Sequence, residues 1–146
     1  MPVNDQAVGR TFPPTTYAVG REKVKEFALA TNETNPLHLD VAAARDAGHA
    51  DVVAPPMFCV VFSAPAMAPA ILDPDVGINF ALMVHGGQAF RWGPLVVAGD
   101  EIETAVSVQS IAERDGKGFY VFESTSTNQR GETVCVGTWT NIVRGG

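Results

Sequence analysis

Residues 32–38 read NETNPLH, which puts a carboxylate, an amide, a proline and an imidazole in one short stretch. Glu33 and His38 form a candidate acid–base pair. Imidazole titrates near neutral pH and can take or give a proton, and a carboxylate beside it can orient the ring, share the proton or hold a water. Pro36 stiffens the turn between them. Asn35 is placed to hold that turn or to contact a substrate. By spacing alone the same stretch also reads as the polar end of a helix, with an exposed acid and a surface histidine.

Other reactive side chains are sparse. His49 and His85 read as structural or loop histidines, although His85-Gly86-Gly87 precedes a strand and is placed to line a groove. It is not a phosphate loop, because no Lys-Ser/Thr follows and no Rossmann unit surrounds it. Cys59 and Cys135 lie in apolar runs without metal-ligand spacing and read as buried free thiols. Asp5, Asp51, Asp73 and Asp75 look like caps and turns, and Trp92 and Arg91 read as packing and surface residues or as contacts for a carrier arm.

The elements around these residues change character midway along the chain. Thr15–Val19 reads as a short edge strand. Gly20 opens a helix to about Thr31, with Val24, Phe27, Ala28 and Thr31 on one inward stripe, and Asn35-Pro36 stops it. Asp40 and Gly48 bracket a second, short helix. Pro56 then starts a helix from Met57 to about Leu72 that is apolar on every side and is expected to be buried all round, with Pro65 kinking it or ending its regular part. From Asn79 onward the pattern turns to strands. Ile102, Thr104, Val106 and Val108 alternate with Glu101, Glu103, Ala105 and Ser107, and Gln88, Phe90 and Trp92 share a face. Turns fall at ERDGKG, NQRG and Gly99-Asp100. Helices followed by strands predict an α+β domain, in which three or four antiparallel strands curve around the apolar helix.

NETNPLH, the helix reached through VVAPPMF, and the later GPLVVAGDEI together resemble the MaoC-like hot-dog dehydratases and hydratases. The likeness is greatest to their short bacterial branch, the (3R)-hydroxyacyl-ACP dehydratase subunits of fatty-acid and polyketide assembly. It runs from about Gly9 to Val143, so residues 1–146 are expected to form a single hot-dog domain. The family motif, Gly-Asp-x-Asn-Pro-x-His, is matched at Asn35, Pro36 and His38, with Asn32 in place of the glycine and Glu33 in place of the aspartate. The resemblance implies an (R)-specific 3-hydroxyacyl-thioester dehydratase, or enoyl-thioester hydratase in reverse. His38 would act as base toward the α-carbon or activate water, Glu33 would assist as acid and orienter, and Asn35 would hold the turn or substrate. A backbone N–H at the start of the central helix, from Met57 or Phe58, would polarise the thioester carbonyl, and His85 and Gly86 would line the substrate groove. No metal or redox cofactor is implied.

Two substitutions bear on that reading. Glu33 is one methylene longer than the expected acid, and misplacement by about 1 Å costs on the order of a hundredfold in rate. Pro55-Pro56 stands where active hydratases tend to carry His-Gly, and neither proline has an N–H. A non-catalytic, groove-forming subunit of a heterodimeric dehydratase is therefore one alternative, and a hot-dog thioesterase is another.

The bulk properties narrow the remaining classes. The 146 residues are 46% hydrophobic, enough for one core without staples, and the net charge of −6 with ten Lys and Arg leaves no basic patch for nucleic acid. The longest apolar stretch, Val52 to Leu72, is broken by Pro55, Pro56, Pro65 and Pro69 and does not read as a membrane span. MPVNDQAVGR lacks the features of a signal peptide. The expectation is a soluble, cytoplasmic protein acting on acyl-CoA or an acyl carrier protein thioester. It would pair edge to edge as a homodimer or with a paralogous hot-dog subunit.

Overall fold

The computed structural model describes residues 3–145. Strand β1 (Thr15–Ala18) precedes helices α1 (Arg21–Ala30), α2 (Val41–Asp46) and α3 (Cys59–Ile71). Four long strands follow: β2 (Met83–Trp92), β3 (Glu101–Arg114), β4 (Lys117–Thr127) and β5 (Thr133–Val143). They form one five-stranded sheet in the order β1-β3-β4-β5-β2, antiparallel throughout. This is the α+β hot-dog arrangement expected from the sequence, with four long strands and the short edge strand at Thr15.

Local chemistry sets the hairpins. Asp115 and Gly116 both adopt left-handed backbone (φ 51° and 71°), and Arg114 pairs with Lys117 across them. Two left-handed residues match the right-handed twist of the flanking strands, and Asp-Gly is a favoured pair for that turn. The alternation read in β3 holds: Ile102, Thr104, Val106 and Val108 are all buried.

Helix α3 lies against the concave face of this sheet. Its buried residues are Cys59, Phe62, Ser63, Ala66, Met67 and Ala70, the i, i+3, i+4, i+7 pattern of a single stripe. Ala66, Met67 and Ala70 pack with Val106, Val108, Phe122 and Trp139, while Cys59 and Phe62, with Phe58, pack with Val24, Val52, Ile102 and Val134. Each large side chain so buried contributes roughly 1.5–3 kcal/mol. Most polar groups inside are paired, with Thr104 Oγ1 at 2.8 Å from Ser126 Oγ and the Trp139 indole N–H donating to Ser124 Oγ at 2.8 Å, whereas the buried Asn141 Nδ2 has no hydrogen-bond partner among the described residues.

Two expectations are corrected here. The central helix is not buried all round: Pro65, Ala68, Pro69 and Leu72 form an outward stripe, with Leu72 65% exposed. Of the two effects expected of Pro65, an end to the regular helix is not seen, since α3 runs on through Pro69 to Ile71, close to the expected limit at Leu72. An internal proline forfeits one bond to the carbonyl four residues back, at a cost of ~3 kcal/mol. Both prolines stand on the open side, where water can take up a freed carbonyl, and the buried stripe opposite supplies the compensation. In α1 the inward stripe is Val24, Phe27 and Ala28; Thr31 turns out and its hydroxyl donates to the Phe27 carbonyl at 3.0 Å.

One ion pair anchors the helical half. Arg21, in the first turn of α1, makes a two-pronged contact with Asp51, at 3.0 Å from Nε and 2.7 Å from Nη2. The guanidinium holds the Asp51 carboxyl below the usual carboxylate range, helped by the Val52 N–H. A depressed carboxylate pKa stabilises the fold above the unfolded value of about 3.9 and stops doing so as pH falls through the folded value. Arg21→Gln is therefore expected to lower the urea midpoint at neutral pH, and the gap from wild type should close on acidification below about pH 4.

Candidate active site

The candidate histidine sits on a 3-10 turn, Pro36–His38, that leaves α1 through a sharp reversal. Asn32 is left-handed (φ 58°). Its N–H donates to Leu29 O and the Glu33 N–H donates to Ala28 O at 2.8 Å, the paired bonds of a Schellman ending. Glycine is the usual residue there because it has no Cβ, and asparagine is the commonest substitute. The motif's exchange of glycine for Asn32 is thus conformationally conservative. Asn35 then caps the next turn, its Oδ1 accepting the Leu37 N–H at 3.0 Å.

That path drives His38 inward. His38 as a whole is 9% exposed, and its Nδ1 lies 2.5 Å from the Val53 carbonyl oxygen. A carbonyl can only accept, so Nδ1 carries a proton, and in the neutral ring Nε2 holds the free lone pair. The Val53 N–H in turn donates to Leu37 O at 2.8 Å. Val53 is thus bonded on both sides to the histidine turn, three residues before the first turn of the central helix. Glu33 is half-buried, and among the described residues its carboxylate makes no hydrogen bond to the imidazole.

The central helix begins with a 3-10 turn, Pro56–Phe58, continuous with α3. The Phe58 N–H is committed to the Pro55 carbonyl at 2.9 Å. Its ring is wholly buried against Tyr17, Phe27 and Phe62. Of the two expected backbone donors, Phe58 is therefore occupied. Met57 lies in the first turn, where helical geometry leaves N–H groups without an intrahelical acceptor, and it is 48% exposed.

Beside this turn opens an apolar cavity of about 420 Å³. Its walls include Pro55, Pro56, Phe62, Trp92, Leu95 and Val134, with Cys59 and Cys135 also facing it. Both cysteines are free and buried, as the sequence suggested. The Cys135 thiol is shared with Cys59, which raises the Cys135 pKa, and burial adds to the effect. The loop over the cavity is pinned by buried Asp100, whose carboxylate accepts the Val97 N–H at 3.0 Å and the Gln129 amide at 2.9 Å.

Of the acid–base, oxyanion and groove candidates named from the sequence, Phe58 alone lines this cavity, and His38, Glu33, Asn35 and Met57 are not among its walls. His85 is exposed on β2, with its ring edge-on to Trp139 at 6.2 Å. Gly86 forms a bulge opposite β5, where a Cβ would meet Ile142 Cδ1 at 2.5 Å. A larger residue there would require the Ile142 side chain to shift, and neither His85 nor Gly86 lines the cavity. No cluster of three or more potential metal ligands occurs among the described residues. Sequence reasoning missed the cavity roles of Cys59, Cys135 and Leu95 and a hydrogen bond from Trp92 to Pro56. Those partners are far apart in sequence and follow no motif.

Comparison with known proteins agrees with this architecture. The family "FAS1-like, dehydratase domain region" matches residues 6–136. A UPF0336 protein of Clavibacter michiganensis is 45% identical over 146 residues, covering 99% of this chain and 98% of the relative. The structure of a MaoC-like dehydratase superposes with a TM-score of 0.85 at 30% identity, over 95% of this chain but only 42% of that one. A C-terminally truncated HadBC (3R-hydroxyacyl-ACP dehydratase) complex from Mycobacterium tuberculosis superposes with a TM-score of 0.84 at 27% identity, over 96% and 99% of the two chains.

The left-handed residue at the head of the motif gives a direct test. Asn32→Gly should leave stability unchanged. Asn32→Val should cost about 1–2 kcal/mol in urea unfolding, because a branched side chain opposes that backbone.

Proposed function

Because the chain belongs to the FAS1-like dehydratase-domain family and has its MaoC-like hot-dog fold, we propose that it is an (R)-specific 3-hydroxyacyl-thioester dehydratase subunit, working also as an enoyl-thioester hydratase. The observation that carries this reading is the buried His38. Its Nδ1 proton is held by the Val53 carbonyl, its Nε2 is free to act, and its turn is bonded to the segment that opens the central helix. In dehydration, Nε2 takes the α-proton of a 3-hydroxyacyl thioester. Electron density moves to the thioester oxygen, toward the Met57 N–H at the positive end of the helix. The Cα–Cβ double bond then forms as the C3–O bond breaks, and the departing hydroxyl leaves as water with a proton from Glu33. Hydration runs the same steps backward. Asn35 serves by capping the turn that carries His38, and the apolar cavity lined by Pro56 and Phe58, the chain neighbours of Met57, suits an acyl tail. The carrier is coenzyme A or an acyl carrier protein.

A partner subunit belongs to this proposal. Strand β2 pairs with β5 alone among the described strands, so its other edge is open along ten residues. A second hot-dog subunit, identical or paralogous, would cover that edge. The HadBC neighbour is itself a complex.

One observation favours a second reading, in which the partner supplies the acid and base and this chain shapes the groove. The Glu33 carboxylate is not hydrogen-bonded to His38, and Pro55-Pro56 removes two backbone donors at the helix start.

The discriminating experiment offers crotonyl thioester to the purified chain, alone and with a paralogue. Water addition that falls about 10²–10⁴-fold in His38→Gln is the expected result. Activity that needs the paralogue and survives His38→Gln would establish the groove-forming role, and release of free thiol would establish thioester hydrolysis.

A further inference from the structure

Trp92 is the last residue of β2, and its indole N–H donates to the Pro56 carbonyl at 2.8 Å across 36 positions of sequence. It is 50% exposed and forms part of the cavity wall. The strand end that carries it is tightly held. The Gly93 N–H donates to Val134 O at 2.9 Å, and a Cβ at Gly93 would lie 2.2 Å from the Thr133 carbonyl oxygen, so only glycine passes there.

The Pro56 carbonyl and the Met57 N–H are the two ends of one peptide group. That group is planar and trans, so its C=O and N–H point in opposite directions and fixing one fixes the other. The ring of Pro56 fixes φ at that residue, which leaves rotation of the 56–57 peptide as the main freedom at the helix start. The Pro56 oxygen also accepts the Cys59 N–H of the helical turn. A carbonyl with two lone pairs takes both donors, and each draws charge onto the oxygen and strengthens the N–H at the far end by roughly 10–30%. Prolines 55 and 56 offer no N–H, and Phe58 has spent its own on Pro55, so Met57 is the backbone donor left to this turn.

We propose that Trp92 is a positioning residue for the oxyanion site: its indole N–H clamps and polarises the Pro56–Met57 peptide so that the Met57 N–H is held toward the thioester oxygen. The proposal rests on the dehydratase reading for its catalytic consequence, but the clamp itself can be read without turnover.

The test is Trp92→Phe, which keeps an aromatic wall and removes the donor. Selective ¹⁵N-methionine labelling gives few amide signals, since the chain has four methionines, and Met57→Leu assigns the relevant one. The Met57 amide resonance is expected to move in Trp92→Phe. The kcat for crotonyl thioester hydration should fall about tenfold with KM and melting temperature unchanged, less than the ~100-fold or greater loss of an entire oxyanion donor. An unmoved Met57 resonance overturns the clamp, whatever the activity. A moved resonance with kcat unaltered in an active chain overturns the catalytic role given to it. A chain inactive both alone and with a paralogue before any substitution, in which Trp92→Phe still moves Met57, upholds the clamp and sets aside the dehydratase reading instead.

Discussion

The extended segment Val52–Ala54 joins every part of the candidate site. Val53 exchanges bonds with the histidine turn, through its N–H to Leu37 and its carbonyl to His38 Nδ1. On the other side the Ala54 N–H donates to Val96 O, and the Ala98 N–H donates to Val52 O. Val52 and Val53 are themselves almost wholly buried. Three backbone hydrogen bonds and one to the His38 side chain thus converge on three residues that lead directly into Pro55-Pro56. A strand this short would be marginal alone, but with its polar groups satisfied on both flanks it ties the imidazole, the cavity loop and the helix start into one frame.

The sheet and α3 give that frame something rigid to stand on. The central helix crosses both lobes of the core, so its N-terminal turn cannot shift without disturbing Phe58 and Phe62 against β3 and β5. Close-packed interiors resist such movement. The proposed proton transfer would thereby be set against a helix end held by aromatic contacts on one side and by prolines on the other. The proposed acid is the less constrained partner: Glu33 follows a left-handed residue, is half-buried, and among the described residues its carboxylate makes no hydrogen bond.

Much of this was readable in the sequence, for reasons that differ by element. The strands announced themselves by strict alternation, as at Ile102–Val108, and the turns by Asp-Gly and Asn-Gln-Arg-Gly. The motif located His38 and its turn because Asn35 and Pro36 act locally, on residues one to three positions away. The failures are non-local. Composition made α3 look buried on all faces, yet Pro65, Ala68, Pro69 and Leu72 face outward, because apolar content does not say how much sheet is available to cover a helix. Proline propensity argued against continuation at Pro65, and burial of the opposite stripe overrode it. His85-Gly86 resembled a groove loop, but its glycine faces Ile142 across the strand pair and does not line the cavity. Trp92 read as wall or surface because nothing adjacent marks an indole that reaches Pro56.

The two margins of the sheet are unequal. One is the four-residue β1; the other is the ten-residue β2, bent by the bulge at Gly86. Ribbons and fibres grow when a molecule offers two comparable edges, so that each added copy exposes a fresh template. A molecule with one long margin and one stub has a single docking valence, and joining along the long side consumes it. Asymmetry of strand length would thus act as a stop on lateral growth, limiting the proposed association through the sheet to a closed pair.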